Sequence, residues 1–384
     1  MRTPARLLLA LALVGCTDDP TMETATAATA DTSLDAPYAR RSDARPREWG
    51  DEASLSNPDW RAVLLGIDDT DLHDVDFVDT THGWVVGDEA TLLRTTDGGV
   101  TWERLSGAEL DAHFTSVDFV DRRVGWVAAD SETIQRTMDS GETWEVVTLP
   151  EELYSRTSDS WGPAPTRTDV VDLQALDADR LYVALYGGIL LLTTDGGATW
   201  ETSAAGPLAA IAVVDDERLW GAWDFGGVQH TNDGGYSWSY DREHPTLSGI
   251  HFTSATDGWV VGSRWDHETW RASPYVSATT DGETFSEQDL PGVYESGVLY
   301  DIAFADADVG FAVGHAESRA FVIGTTDGGQ TWTEHACNDD VQRGIPRLPL
   351  GALNAVSVVD SHHAWAVGSS GTLLRYAPQP MDGR

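Results

Sequence analysis

One short pattern recurs along this chain and constrains its fold more than any other feature. At residues 95–102 it reads Thr-Thr-Asp-Gly-Gly-Val-Thr-Trp, and the copy at 279–285 is one residue shorter and ends in Phe. The aspartates of the six copies lie 38 to 56 residues apart: Asp97, Asp139, Asp195, Asp233, Asp281 and Asp327. A period in this range is typical of a solenoid, a propeller or another repeat array.

Each repeat unit reads as four short strands. In the first unit the alternating runs are 73–78, 83–87, 91–95 and 101–105, separated by turns rich in Asp and Gly. This is the strand-and-turn pattern of an all-β chain. The second run has its own signature, Gly-Trp-Val-Val-Gly in the first unit, and its variants mark seven units in all.

The seventh unit, from residue 353 to about 376, ends before any further copy of the pattern. The run Trp-Arg-Ala-Val-Leu at 60–64 matches the segment that follows the first copy and can supply the missing strand. We therefore predict a seven-bladed β-propeller of four-stranded blades, closed by an N-terminal strand in the last blade, because closure leaves only short, protected edges. Six or eight blades are open alternatives, since the third and fifth units are long.

The N-terminus reads as an export signal. Arg2 and Arg6 precede an apolar run that is too short to span a membrane. The run Leu-Val-Gly-Cys at 13–16 resembles the bacterial lipobox, which implies cleavage before Cys16 and lipidation of its thiol; Thr17 then implies the outer membrane. A plain signal peptide followed by an incidental cysteine is the alternative.

Four segments follow from these signals. We expect a lipoprotein signal peptide over 1–15, a disordered tether over 16–56, the propeller over 57–377 and a C-terminal tail over 378–384. The tether is predicted from its richness in Thr, Ala, Asp and Pro, which gives little apolar surface to bury. The expected location is the cell envelope, with the protein lipid-anchored to the outer membrane and either periplasmic or surface-exposed.

The charge excludes one class of partner. The chain has 24 basic and 63 acidic residues and a formal net charge of -39. Phosphate backbones bind basic surfaces, so we expect no nucleic-acid partner. An anionic membrane surface also repels such a body, so the lipid has to provide the anchoring.

The repeated aspartates are predicted to be structural. Each lies at a tight turn between the third and fourth strands, where its carboxylate can accept backbone N–H bonds and the glycines after it allow positive φ. The Trp that ends the motif is expected to pack between blades. Repeated calcium or glycan sites are the alternative; we expect no metal and no cofactor.

Two other sets of residues are candidates for function. The innermost strands place Asp76, Asp118, Asp172 and His251 in one tier near the axis, which indicates either a hydrated polar channel or a cation site. The residue just before the repeated motif, or at the equivalent position of the last unit, is basic in four units: Arg94, Arg136, His230 and Arg375. In so acidic a chain this predicts a partner-binding cluster, unless each side chain pairs with a neighbouring carboxylate.

Three inserts between strands are further candidates. They cover 150–168, 263–275 and 336–350, and the second holds Trp265 and Trp270. Aromatic-rich loops on a rigid disc bind protein or sugar, or else pack on its rim.

Over residues 70–376 the chain resembles the photosystem II stability/assembly factor family of seven-bladed propellers, which also contains bacterial lipoproteins. That family repeats Gly-Trp-x-Val-Gly followed by Leu-Arg-Thr-x-Asp-Gly-Gly-x-Thr-Trp, and residues 93–102 fit this run. The resemblance implies a non-enzymatic assembly scaffold that holds a membrane or envelope protein and uses an arginine patch. We expect a monomer.

A glycan-binding or glycan-hydrolysing propeller is the rival hypothesis. Sialidases and xyloglucan-cleaving glycosidases share the repeated motif. The Arg-Ile-Pro signature of sialidases precedes their repeats, whereas here the nearest text is Arg-Gly-Ile-Pro at 343–346, after the last repeat. We therefore expect no enzyme activity.

Overall fold

The computed structural model of this chain is built from β-strands. It describes residues 52–54, 59–67, 69–106, 113–129, 133–150, 169–223, 226–241, 243–292, 294–317, 319–336 and 351–378. The chain divides into two units, Met1–Arg45 and Pro46–Arg384, of which the first lies outside the described residues. The predicted signal peptide, Cys16, most of the predicted tether and residues 379–384 also lie outside them. The described part of the chain contains no helix long and apolar enough to cross a membrane.

The strands form seven antiparallel sheets. Two strands precede the first full blade: β1 (Glu52–Ser54) and β2 (Trp60–Val63). Blade one is β3 (Leu72–Phe77), β4 (Gly83–Gly87), β5 (Thr91–Thr95) and β6 (Glu103–Arg104). Blade two is β7 (Phe114–Phe119), β8 (Gly125–Ala129), β9 (Ile134–Thr137) and β10 (Glu145–Val147). Blade three is β11 (Val170–Ala175), β12 (Leu181–Leu185), β13 (Ile189–Thr193) and β14 (Glu201–Ala204).

The remaining blades repeat this order. Blade four is β15 (Ala210–Val213), β16 (Leu219–Trp223), β17 (Gly227–Thr231) and β18 (Ser239–Asp241). Blade five is β19 (Thr246–Phe252), β20 (Gly258–Asp266), β21 (Arg271–Thr279) and β22 (Ser286–Glu287). Blade six is β23 (Gly297–Phe304), β24 (Gly310–Ala316), β25 (Arg319–Thr325) and β26 (Thr333–Ala336). Blade seven holds β27 (Leu353–Asp360), β28 (His363–Gly368) and β29 (Thr372–Tyr376).

The N-terminal strand closes the ring. In blade seven, β2 pairs with β29 in the register Trp60 opposite Tyr376 and Val63 opposite Leu373. This confirms the predicted seven-bladed propeller and the closure by residues 60–64. One strand was not predicted: β1 lies within the segment expected to be tether and pairs with β2, so the last blade has five strands.

The antiparallel order gives the disc two different faces. The turns between first and second strands and between third and fourth strands lie at one end of each blade, which we call the Asp-box face because the six repeated motifs are there. The tips between second and third strands, such as 88–90 in blade one and 266–271 in blade five, lie at the other end, which we call the hairpin face.

Aromatic stacking joins one blade to the next. Phe119, at the end of the innermost strand of blade two, stacks on Trp84 of blade one at a centroid distance of 3.5 Å, and Trp144 meets its edge at 6.2 Å. The indole N–H of Trp84 donates to the Ser140 carbonyl, in the motif of blade two, at 3.2 Å. A Cβ on Gly125 would lie 2.4 to 2.5 Å from the Phe119 ring, a clash, so the glycine of the repeated Gly-Trp signature makes room for the stack.

Candidate functional site

The carboxylate of each repeated motif closes its own turn. In blade one, Asp97 accepts hydrogen bonds from the Thr95 hydroxyl at 2.9 Å, the Thr101 amide at 2.8 Å and the Thr101 hydroxyl at 2.6 Å. The Thr95 hydroxyl in turn accepts the Gly99 amide at 2.9 Å. Gly98 and Gly99 have φ values of 74° and 83°, in the left-handed region that favours glycine. The same carboxylate bonding recurs at Asp139, Asp195, Asp233, Asp281 and Asp327.

These bonds stabilise the ionised carboxylates. Partial burial opposes ionisation of Asp97, but hydrogen bonds from Thr101 and Thr95 outweigh it and hold its pKa below the usual value. In blade five, the backbone amides of Thr284 and Glu283 lower the pKa of Asp281 to about 2. The hydrogen bonds that these carboxylates accept come from their own turns, which is the arrangement expected of the predicted structural role.

The register of blade three corrects the predicted tier. Asp76 lies opposite Trp84 and Asp118 lies opposite Trp126, but the residue opposite the equivalent Tyr182 is Gln174. Asp172 therefore lies two residues before the position equivalent to Asp76 and is at the level of Asp74. The prediction misaligned this strand because Val-Val-Asp-Leu-Gln-Ala contains two frames of an apolar, polar, apolar triplet, and only pairing selects between them.

Polar side chains of the innermost strands bind the next blade. Asp76 accepts the Phe119 amide at 2.8 Å and Asp118 accepts the Ala175 amide at 2.5 Å. Gln174, which the sequence analysis did not single out, accepts the Val213 amide at 2.6 Å. The other level does the same: Asp74, Asp172 and Asp301 accept amides of Val117, Ile211 and Val356, each at 2.8 Å. These side chains satisfy backbone N–H groups that the ring would otherwise leave without acceptors.

The carboxyls near the axis are hard to ionise. Burial raises the pKa of Asp118 and of Asp301 to about 7, with a further contribution from the charge of Asp74. Burial and the neighbouring Asp118 raise the pKa of Asp76 well above the usual value. At His251 burial acts in the opposite direction and lowers the pKa to about 4, so this imidazole is neutral at neutral pH.

The alternative of a cation site finds no support among the described residues. Within the residues that the structure describes, no three His, Cys, Asp or Glu side chains are grouped to hold a metal ion. The carboxylates of the inner strands accept hydrogen bonds from backbone amides of other blades, and this is the role that the geometry shows.

The predicted arginines also contact the following blade. Arg94 donates to the Ser140 carbonyl at 3.1 Å and to the carboxylates of Glu103 and Glu142 at 3.0 and 2.8 Å. Arg136 donates to the Ala178 carbonyl and, at 3.3 Å, to Asp179 of blade three. The side chains of Arg94 and Arg136 are only 12% and 15% exposed. Both arginines therefore pair with neighbouring carboxylates, which is the alternative to a partner-binding cluster that the sequence left open.

The hydrolase arrangement is not found in the described part of the chain. Arg94 and Arg136 each point to the blade after their own, and Arg375 lies near Gly98 of blade one, so the three form a row around the ring instead of converging on one pocket. Two tyrosine–glutamate pairs occur, Tyr236–Glu201 and Tyr294–Glu334, and both belong to other blades. Residues 343–346 lie outside the described residues.

One groove on the disc is open and partly apolar. It lies between the outer strands of blade three and the motif of blade four and has a volume of about 230 Å³. Tyr236 forms one wall; it is 84% exposed and its hydroxyl donates to Glu201 at 3.3 Å. The lining is Leu190, Leu192, Glu201, Thr202, Ser203, Ala204, Gly234, Gly235 and Tyr236.

The groove exists because one side chain is small. At the junction of blades one and two, Leu105 fills the corresponding space, so that a Cβ on Gly141 would lie 2.6 Å from its Cδ1; Val147 fills the next junction in the same way. At blades three and four the equivalent residue is Ser203, whose hydroxyl bonds the Gly235 carbonyl. A Cβ on Gly235 would meet nothing closer than Ser203 at 3.4 Å.

Sequence reasoning did not find this groove, although the sequence contains a signal for it. Three residues after the Trp of the motif, blades one and two carry Leu105 and Val147, whereas blade three carries Ser203. A comparison of the repeats would have shown that blade three has the smallest side chain at this position, although the position is polar in blades four to six as well. His230, the fourth predicted basic residue, lies on β17 of blade four, opposite Ser239.

Several known proteins with related sequences are photosystem II assembly factors. Residues 52–158 match the model of the photosystem II assembly factor YCF48 family. The photosystem II assembly protein Ycf48 of Synechococcus sp. (strain JA-3-3Ab) is 30% identical over 317 residues, which cover 79% of this chain and 85% of that protein. The photosystem II assembly lipoprotein Ycf48 of Picosynechococcus sp. (strain ATCC 27264 / PCC 7002 / PR-6) is 28% identical over 339 residues, with coverages of 84% and 89%.

Solved structures show the same fold. A structure of YCF48 bound to D1 peptide superposes with a TM-score of 0.62 at 21% identity and covers 86% of this chain and all of that one. A virginiamycin B lyase from Staphylococcus aureus reaches the same TM-score at 12% identity, covering 83% and 99%. At these identities the structures establish the propeller and leave the activity open. The relation to the Synechococcus protein extends over most of both chains, and this chain therefore belongs to the YCF48 family of photosystem II assembly factors.

Proposed function

We propose that this protein is a non-enzymatic, envelope-anchored scaffold that binds a peptide segment of another envelope protein. The observation that carries the proposal is the underfilled junction between blades three and four, where the repeat leaves space for a side chain that the chain does not supply. A relative of the same family has been solved with a peptide bound, which supports this class of ligand.

The size and lining of the groove favour an aliphatic side chain of a peptide. Its volume of about 230 Å³ is below the usual range for small-molecule sites of roughly 300–1,000 Å³. Leu190 and Leu192 supply apolar surface, and the exposed Tyr236 adds an aromatic wall of the kind found at protein-binding sites. The position corresponds to that of Leu105 and Val147, so the missing group has the character of a Leu or Val side chain.

The anchor is part of the same proposal. Lipidation at Cys16 would hold the propeller at the membrane, in agreement with the relatives that are named lipoproteins. The partner contact predicted for Arg94, Arg136, Arg375 and His230 stays a prediction. We place it second to the groove, because Arg94 and Arg136 are already bound to the following blade.

Filling the groove tests this function. In Ser203→Leu the larger side chain takes the place that Leu105 occupies at the junction of blades one and two, so the fold should tolerate it. Losing the burial of one aliphatic side chain should weaken partner binding roughly 10- to 100-fold. The measurement is the amount of each envelope polypeptide that co-purifies with the tagged, lipidated protein from its own cells.

Ser203→Ala serves as the matched control, because it removes the hydroxyl and leaves the groove open; it should retain the partner. Equal recovery with Ser203→Leu and the wild type would contradict the proposal. Turnover of an envelope glycan by the purified protein would favour the hydrolase alternative instead.

A further inference from the structure

The hairpin of blade five extends far beyond its counterparts. In blade one the second and third strands end at the pair Gly87–Thr91, whereas in blade five they continue past the equivalent pair Gly262–Tyr275 to Asp266–Arg271. Four additional residues on each strand project the tip by about 14 Å at the usual rise of a β-strand. The extension stands on the hairpin face of the disc.

Two exposed tryptophans occupy the tip of this hairpin. Trp265 is 46% exposed and Trp270 is 74% exposed, and their rings meet edge to face with centroids 6.3 Å apart. Trp270 has a φ of 58°, which a bulky residue seldom adopts, and its amide donates to the Asp266 carbonyl at 2.9 Å. The turn therefore presents both indoles outward in place of burying them.

Ion pairs brace the projection near its base and at its tip. Arg264 donates to Glu287 at 2.6 Å and lies 5.3 Å above the Tyr275 ring, and Arg271 pairs with Glu295. Residues 264–271 themselves carry two arginines and two carboxylates, in a chain with 24 basic and 63 acidic residues. The tip is thus close to neutral on a strongly acidic body, so it can approach a lipid surface that the rest of the disc cannot.

The chain enters the propeller at this same face. Glu52 of β1 pairs with Val63, and Val63 pairs with Leu373 next to the hairpin tip of blade seven. Glu52, the first described residue, therefore lies at the hairpin face. A lipid at Cys16 would hold the propeller near a bilayer that the tryptophan tip can then reach.

We infer that the hairpin face rests on the membrane and that Trp265 and Trp270 insert into the lipid–water interface as a second anchor. Indole rings favour this layer because they combine a large apolar body with a polar N–H. The predicted tether is flexible, and a second contact at the tip would fix which face of the disc meets the bilayer. The inference rests on the lipid anchor proposed above. In this orientation the groove, which lies at the Asp-box motif of blade four, faces away from the membrane.

A depth measurement on the lipidated protein tests this. A nitroxide label is attached at His267→Cys, in the tip, or at Gln330→Cys, in the motif of blade six on the Asp-box face, both in a Cys337→Ser background. The protein is reconstituted in phosphatidylcholine vesicles, and collisions with a water-soluble nickel chelate are compared with collisions with oxygen. We expect the label at 267 to be roughly tenfold less accessible to the chelate than the label at 330. The reason is that insertion of the two indoles would carry the label at 267 out of the water.

The replacements Trp265→Ser and Trp270→Ser together should remove the protection at 267. Tyr240→Ser is the control, since it removes an aromatic side chain that is 49% exposed from the outer strand of blade four and should change nothing at 267. Equal accessibility of the two labels on vesicle-bound protein would overturn the inference and leave the scaffold function intact. Protection that appears only after an envelope protein is added would assign the tip to a protein partner, and failure of the protein to float with vesicles would overturn the lipid anchor and the inference together.

Discussion

Replacing Trp60 with alanine is expected to lower the free energy of unfolding by about 3–5 kcal/mol. Trp60 is fully buried in the strand that closes the ring. Its ring meets the edge of Phe311 of blade six at 5.4 Å and lies 5.2 Å from Tyr376 of blade seven. The substitution therefore opens a cavity where the N-terminal strand joins two blades, and no neighbouring repeat can move in to fill it without breaking the ring.

Denaturant unfolding followed by far-ultraviolet circular dichroism measures this effect without depending on tryptophan fluorescence. Trp270→Ala is the control, because its side chain is 74% exposed and its loss should change the stability by less than about 0.5 kcal/mol. Similar stabilities for Trp60→Ala and the wild type would mean that the seven-bladed ring does not depend on the N-terminal strand.

The second large effect is a stability that rises as the pH falls. Burial raises the pKa of Asp118 to about 7, against 3.8 for the ordinary group. Between these two values the folded protein holds a proton that the unfolded chain has released. The free energy of unfolding therefore decreases as the pH rises from about 4 to 7, by roughly 2–4 kcal/mol from this site when allowance is made for the partial exposure of Asp118.

Asp118→Asn isolates this contribution. The amide oxygen can still accept the Ala175 N–H, but the side chain no longer ionises. We expect the variant to be more stable than the wild type at pH 8, by up to the same roughly 2–4 kcal/mol, and about equal to it at pH 4.5. Unfolding curves collected across this range test the prediction, and a difference that is independent of pH would contradict it.

Asp97→Asn provides a control of opposite sign. Its folded-state pKa lies below the usual value, so the ionised carboxylate stabilises the fold above about pH 4 and this contribution disappears as the pH falls through the lowered pKa. The amide cannot accept all of the hydrogen bonds from Thr95 and Thr101. The variant should lose about 1–3 kcal/mol at neutral pH and much less in strong acid.

Much of this architecture was predictable because the repeat encodes it locally. The Gly-Trp signature, the Phe that stacks on the Trp of the preceding blade and the Asp-Gly-Gly turn each report one part of a blade. The seven variants of the Gly-Trp signature and the six copies of the Asp-Gly-Gly motif, together with the strand at residues 60–64, were enough to predict the ring. The alignment failed only where β11 offers two equivalent frames, so that Asp172 was placed one level too far along the strand; register is a property of strand pairs and is not written in one strand.

The candidate site was less predictable because it depends on differences between repeats and on partners in space. The charges of Arg94 and Arg136 suggested a binding patch, but carboxylates and carbonyls of the following blade already contact them. A serine such as Ser203 does not by itself indicate a binding site. Its small size becomes informative only by comparison with Leu105 and Val147, which occupy the same position in other blades. The insert with Trp265 and Trp270 was recognised as aromatic, whereas the face on which it stands became clear only from the pairing of β20 with β21.

In the proposed function, a partner peptide binds in the groove between blades three and four. The most direct test replaces Tyr236 with a photo-crosslinking amino acid in the lipidated protein and irradiates intact cells. Ala198 is the control position, because it occupies the same place in the motif of blade three, next to a junction that Val147 fills. We predict a crosslink to a discrete envelope polypeptide from position 236 that disappears when Ser203→Leu is added. Crosslinks of equal yield from positions 236 and 198, or none from 236, would contradict it.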